Sequence, residues 1–77
     1  MELQTFIQNI AEQFEETDSS EITASVKFKD LDEYSSLIAL CIIAMVDEEY
    51  GVALKGDDIR NSETIEDLFN VVKSKKV

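Results

Sequence analysis

Asp32-Glu-Tyr-Ser-Ser-Leu-Ile-Ala-Leu-Cys-Ile-Ile-Ala-Met-Val-Asp-Glu-Glu-Tyr-Gly51 decides how the rest of the chain is read. Ser35 and Ser36 stand in front of ten consecutive apolar residues, Leu37 to Val46, and the run closes on Asp47, Glu48, Glu49, Tyr50 and Gly51. Both ends of a helix are marked. Either serine can accept a hydrogen bond from the free N–H groups of a first turn, and Gly51 can take the left-handed conformation that ends a last one. The spacing predicts a helix from Ser36 to Tyr50. Ala39, Ile42, Ile43, Val46 and Tyr50 share one face and are expected to meet the core. The other side carries Leu37, Ile38, Leu40, Cys41, Ala44 and Met45. Full burial of such a helix is hard in a small protein, so Ile38, Leu40, Cys41 and Ala44 are expected to be partly exposed.

The segments around this helix read as its packing. Leu3, Phe6, Ile7, Ile10 and Phe14 form an apolar stripe, with polar residues opposite, and predict an amphipathic helix over residues 2 to 15. A long connection to Tyr34 follows, and Phe28 and Leu31 are expected to pin it to the bundle. Asp57 to Asn61 fits at most a short helix, with Ile59 inward. Thr64 and Asp67 have capping-box spacing at the start of a last helix, Thr64 to Lys75, which buries Ile65, Leu68, Phe69, Val71 and Val72. Its acids lie at the positive end and its lysines at the negative end, as the helix dipole favours.

Composition narrows the function classes. With 77 residues, no proline, two glycines and 44% hydrophobic residues, the chain is expected to be a single helical domain spanning 1–77. One cysteine and no histidine rule out an internal disulfide and a Cys/His zinc site. Seventeen acidic against seven basic residues, a formal charge of −10, disfavour nucleic acid or anionic lipid and favour basic protein surfaces. The amino-terminal Met1-Glu2-Leu3-Gln4 lacks the marks of a signal peptide, and Leu37 to Val46 falls short of the about 20 apolar residues a membrane span needs. A cytoplasmic location, without membrane insertion, is expected.

No acid–base pair for catalysis is visible, and the carboxylates read as a solvated surface. Asp47, Glu49 and Gly51 do not make a calcium loop: the glycine comes one place early and the downstream bidentate glutamate is missing. Cys41, mid-helix among aliphatics, reads as a small apolar residue rather than a nucleophile. An enzyme is not expected. Ser35 or Ser36 is a helix cap on one reading. On another, a serine at a helix N-terminus is a favourable place to hold a phosphodiester, because the free N–H groups and the dipole both stabilise an anion.

The Ser36-Leu37 pair opening a helix, preceded by Leu31-Asp32-Glu33-Tyr34 and closed by Asp47-Glu48-Glu49-Tyr50-Gly51-Val52, resembles an acyl carrier protein. The likeness extends over nearly the whole chain, through Asp30-Leu31 in the long loop and a last helix near Glu63-Thr64-Ile65. It implies an all-α fold, a small four-helix bundle with a long first loop, a short third helix and an interior able to accept an acyl chain. It also implies 4′-phosphopantetheine on Ser36, taken from coenzyme A by a phosphopantetheinyl transferase, with acyl groups held as thioesters for acyl-transferring, condensing or ligating enzymes. The protein supplies attachment and recognition, through Ser35, Leu37, Ile38, Leu40, Cys41, Asp47 and Glu48. The chain departs from the family's pattern in having Ser-Ser-Leu where Asp-Ser-Leu is usual, and Ile38 and Cys41 where acids are often found. The expected role is in fatty acid synthesis or a specialised lipid or polyketide pathway, and these departures favour a dedicated carrier in a lipid, polyketide or cell-surface pathway over the housekeeping one. A monomer is expected. The alternative is a small acidic helical adaptor without a prosthetic group.

Overall fold

The computed structural model describes residues 2–76, so Met1 and Val77, the ends of the expected domain, lie outside the described residues. Four helices and no strands are found among those described: α1 (Leu3–Ala11), α2 (Ser36–Tyr50), α3 (Gly56–Asn61) and α4 (Ile65–Lys75). The all-α class follows. The Cα radius of gyration is 11.1 Å, against about 11.5 Å for a folded chain of this length.

The core is built from one face of each helix. Phe6 and Ile10 of α1, Ile42 and Val46 of α2, Ile59 of α3, and Ile65, Leu68 and Val72 of α4 are all buried. Phe6 sits at its centre, edge-on to Phe69 at 5.4 Å and tilted against Tyr50 at 5.8 Å between ring centroids. Such aromatic pairs add to the area they bury.

The α-helix of α1 ends at Ala11, short of the expected residue 15. The chain winds on in tighter turns, with the Gln13 N–H donating to Ile10 and the Phe14 N–H to Ala11. Glu12, Glu15 and Glu16 sit at this end without a basic residue in the last turn. Negative charge opposes the negative pole of the dipole there. Phe14 nevertheless reaches the core and is 2% exposed.

The connection to α2 is held at several points. It contains two 3₁₀ turns, Ser19–Glu21 and Phe28–Asp30. Phe28 is fully buried, as expected, while Leu31 is only half-buried and the second deep anchor is Ile22. Two hydrogen bonds add to these: the Glu66 N–H donates to the Ala24 carbonyl at 2.9 Å, and Lys29 Nζ to the Arg60 carbonyl at 2.7 Å.

Helix α2 begins and ends where its residue pattern predicts. Gly51 has φ 66° and ψ 26°, and its N–H donates to the Asp47 carbonyl. Its rotation about its own axis differs from expectation. Ile38, Ile42, Met45 and Val46 are its buried residues, with Ala39, Ile43 and Tyr50 half-buried on one flank and Cys41 on the other. Ile38, expected to be partly exposed and read by partners, is only 9% exposed, and Met45 is 8% exposed. A helix apolar on every side has no polar face to point its rotation outward, so the packing partners set it. Leu37, Leu40 and Ala44 remain on the outside.

Helix α4 has its expected capping box. Thr64 Oγ1 accepts from the Asp67 N–H, and the Asp67 carboxylate accepts from the N–H groups of Glu63 and Thr64. These backbone donors hold the Asp67 carboxyl below its ordinary value.

Candidate functional site: the entrance to helix α2

The two serines divide the roles that their sequence positions leave open. Ser35 is the N-cap, in extended conformation, and its Oγ accepts from the Ile38 N–H at 3.3 Å. Ser36 is the first helical residue, exposed, and its hydroxyl has no hydrogen-bond partner among the described residues. Ser36 is therefore not the cap. The N–H groups of Ser36 and Leu37 precede the first intrahelical bond and also find no acceptor among the described residues. Two unpaired donors and the positive end of a 15-residue helix thus lie at the same helix entrance as a free hydroxyl.

The strand of chain leading into Ser36 is anchored on both sides. The Glu33 carboxylate accepts from the Thr17 hydroxyl at 2.7 Å, the Thr17 N–H at 2.8 Å and the Glu16 N–H at 3.1 Å. The Thr17 hydroxyl is the main cause that lowers the Glu33 carboxyl from its ordinary value, with the backbone donors adding to it. Next to it, Tyr34 lays its ring edge-on to Phe28 at 5.9 Å, and burial pushes its phenol up. Glu33 and Tyr34 thus tie the approach to Ser36 to the loop after α1 and to the buried loop anchor.

The residues expected to meet partners fall into three groups. Ser35, Leu37, Leu40, Asp47 and Glu48 are exposed; Cys41 is half-buried; Ile38 belongs to the core. Leu37 and Leu40, at 68% and 63% exposure, are the large apolar side chains left in solvent. Leu37, Leu40, Ala44, Asp47 and Glu48 recur at helical spacing and form one outer stripe of α2.

Helix α1 borders this stripe and was missed in the sequence as part of the site. Asn9 Nδ2 donates to the Tyr50 hydroxyl at 2.9 Å, joining the two helices near the end of α2. Near the start of α2, the Glu33 carboxylate joins the segment before α2 to Glu16 and Thr17, in the loop after α1. Between these ties runs an open groove in two connected parts. One part, of about 440 Å³, lies beside Ser35, Leu37 and Glu33. The other, of about 520 Å³, lies beside Ala44, Met45 and Glu48. Glu12, Gln13 and Cys41 line both. Contacts made across 16 and 41 residues of chain have no local signature, and the acids that follow α1, Glu12, Glu15 and Glu16, read individually as ordinary surface charge.

No cluster of three or more Cys, Asp or Glu side chains suited to a metal ion occurs among the described residues, and no helix there is long and apolar enough to cross a membrane. Comparison of the chain with protein-family models, curated proteins and solved structures finds no match.

Proposed function

We propose that the protein is an acyl carrier in which Ser36 holds 4′-phosphopantetheine. The observation that carries this reading is the free, exposed hydroxyl of Ser36 at the start of α2, released from capping by Ser35. Attachment forms a bond between Ser36 Oγ and phosphorus, breaks the pyrophosphate of coenzyme A, and releases adenosine 3′,5′-bisphosphate and the hydroxyl proton. The site fits the resulting phosphodiester: the Ser36 and Leu37 N–H groups and the helix dipole favour an anion there. When bound, the group supplies a thiol that holds acyl chains as thioesters. The chain's own residues position and present it. Ser35 closes the first turn, Glu33 and Tyr34 fix the approach, and Leu37, Leu40, Asp47 and Glu48 form the outer stripe offered to the transferase and to acyl-transferring, condensing or ligating enzymes. Work in the cytoplasm, as a monomer in a lipid, polyketide or cell-surface pathway, accords with this reading.

The exposed leucines also favour a second reading, an acidic helical adaptor with no prosthetic group. Intact mass after incubation with coenzyme A and a broad-specificity phosphopantetheinyl transferase separates the two. The carrier gains one phosphopantetheine, retained in Ser35→Ala and lost in Ser36→Ala. A folded protein that gains no mass with any competent transferase favours the adaptor.

A further inference from the structure

We infer that the groove between α2 and the end of α1 with the turns that follow it is a docking site for a basic amphipathic helix of a partner protein, so that Asn9 and the segment from Glu12 to Glu16 take part in recognition beside the outer stripe of α2. The groove is bounded at both ends, by the Asn9–Tyr50 hydrogen bond and by the Glu33 carboxylate on Thr17. The α2 wall carries Leu37, Ile38, Cys41, Ala44 and Met45, with the uncharged polar Asn9, Gln13 and Ser35 beside them. Its rim is acidic, with Glu12, Glu15 and Glu16 from the α1 side, Glu33 at one end and Glu48 and Glu49 at the other. None of the residues lining either part is a lysine or arginine.

Charge complementarity selects the occupant. A second copy would bring the same carboxylates face to face, in a chain of formal charge −10, and like charges across an interface oppose association. A partner helix with an apolar stripe flanked by lysine or arginine satisfies both wall and rim. From Leu37 to Glu48 the groove follows α2 for about 17 Å, which matches roughly three turns of a partner helix. Leu40, outside the groove on the same stripe as Ala44, extends the apolar contact onto the surface of α2.

The site does not depend on Ser36 carrying an arm, and its test uses the unmodified full chain. The probe is a fluorescent helical peptide of leucine and lysine, about 14 residues long, roughly four turns, beside a scrambled peptide of the same composition. Fluorescence anisotropy gives affinity, and amide chemical shifts give location. The amphipathic peptide is expected to bind one to one, to weaken as salt rises, and to shift Gln13, Cys41 and Ala44. Glu12→Lys with Glu48→Lys is expected to weaken binding by about tenfold or more, as lost close charge pairs do. Glu63→Lys with Glu66→Lys, the same change of charge away from the groove, is expected to alter it by less than about twofold. Ala44→Arg blocks the wall and should abolish it, with circular dichroism reporting that each variant is folded. Equal weakening by the two charge pairs, equal binding of the scrambled peptide, or shifts centred elsewhere would overturn the inference. So would a dimer in sedimentation that Ala44→Arg dissolves, since a second copy would then be the occupant. Failure of the mass assay on Ser36 leaves these outcomes unaffected.

Discussion

Truncating Ile38 and Leu40, two aliphatic residues half a turn apart on α2, tests the rotation of that helix. Ile38 is 9% exposed and Leu40 is 63% exposed. Removing a buried isoleucine to alanine costs about 2–5 kcal/mol, and the position of Ile38 at the floor of the groove places it near about 3 kcal/mol. Full burial of leucine is worth about 1.5–3 kcal/mol, so the third or so of Leu40 that leaves water contributes roughly 0.5–1 kcal/mol. The higher helix propensity of alanine returns a few tenths of this, leaving about 0.5 kcal/mol. The 77-residue chain has a total stability of about 4–12 kcal/mol on the usual scale per residue. At about 4–8 °C per kcal/mol, Ile38→Ala lowers Tm by about 12–24 °C and Leu40→Ala by about 2–4 °C. Urea and thermal unfolding followed by far-ultraviolet circular dichroism read both. Ile38→Glu is expected to unfold the protein at neutral pH, because its carboxylate would enter an apolar seat without a partner. A Leu40→Ala loss equal to that of Ile38→Ala would refute the observed rotation and with it the outward stripe.

Three further outcomes follow from the helix ends and the loop. Ser35→Ala should lower stability by about 0.5–1 kcal/mol through loss of the N-cap, and Ser35→Asp should restore it, whereas Ser36→Ala should be nearly neutral in urea unfolding. Gly51→Ala should cost about 1–2 kcal/mol, because a Cβ there meets nothing within 4 Å and the strain is that of the left-handed backbone alone; chemical denaturation measures it. Glu33→Gln should raise the rate of proteolysis between Thr17 and Glu33. The Glu33 carboxyl is lowered from its ordinary 4.5 and that of Asp67 from 3.8. Their stabilisation is therefore complete above those ordinary values and lost as pH falls through the lower folded ones. Urea unfolding of the wild type should show stability falling as pH drops below the ordinary carboxylate values, a fall that Glu33→Gln diminishes.

Both ends of α2 and the start of α4 were legible in the sequence, and the rotation of α2 was not. Ser35, Gly51, Thr64 and Asp67 announce helix boundaries because capping acts through residues within three or four positions, and such a signal is local. Phe28 was legible as an anchor because a lone phenylalanine in a polar loop has few other roles. Rotation of α2 was not, since Leu37 to Val46 offers apolar residues in every direction, and Ile38 and Met45 turned inward while Leu40 turned out. The early end of α1 and the Glu33 clamp escaped for a related reason. Acidic residues look alike in sequence whether they face water, oppose a helix dipole or accept three hydrogen bonds from a distant turn.

The order of the two serines links these findings. A helix entrance that presents a nucleophilic hydroxyl must satisfy its first-turn donors with some other group, because a serine engaged as cap has its oxygen committed to a backbone N–H. Ser35 fills that role here and Ser36 stays free. Aspartate in place of Ser35 would cap equally well and add a charge of one unit beside Ser36, stabilised by the same dipole that favours a phosphodiester. The neutral cap leaves the positive pole of α2 less compensated, while the acids that could guide a basic partner stand in the turns after α1, at Glu12, Glu15 and Glu16, and at the far end of α2. On the proposed carrier and groove readings, recognition would thereby shift from the immediate neighbour of Ser36 toward the groove. A transferase that reads the residue before its serine should modify Ser35→Asp faster than wild type, with KM rather than kcat carrying the change. A partner that reads the groove should respond to Glu12 and Glu48 and be indifferent to Ser35.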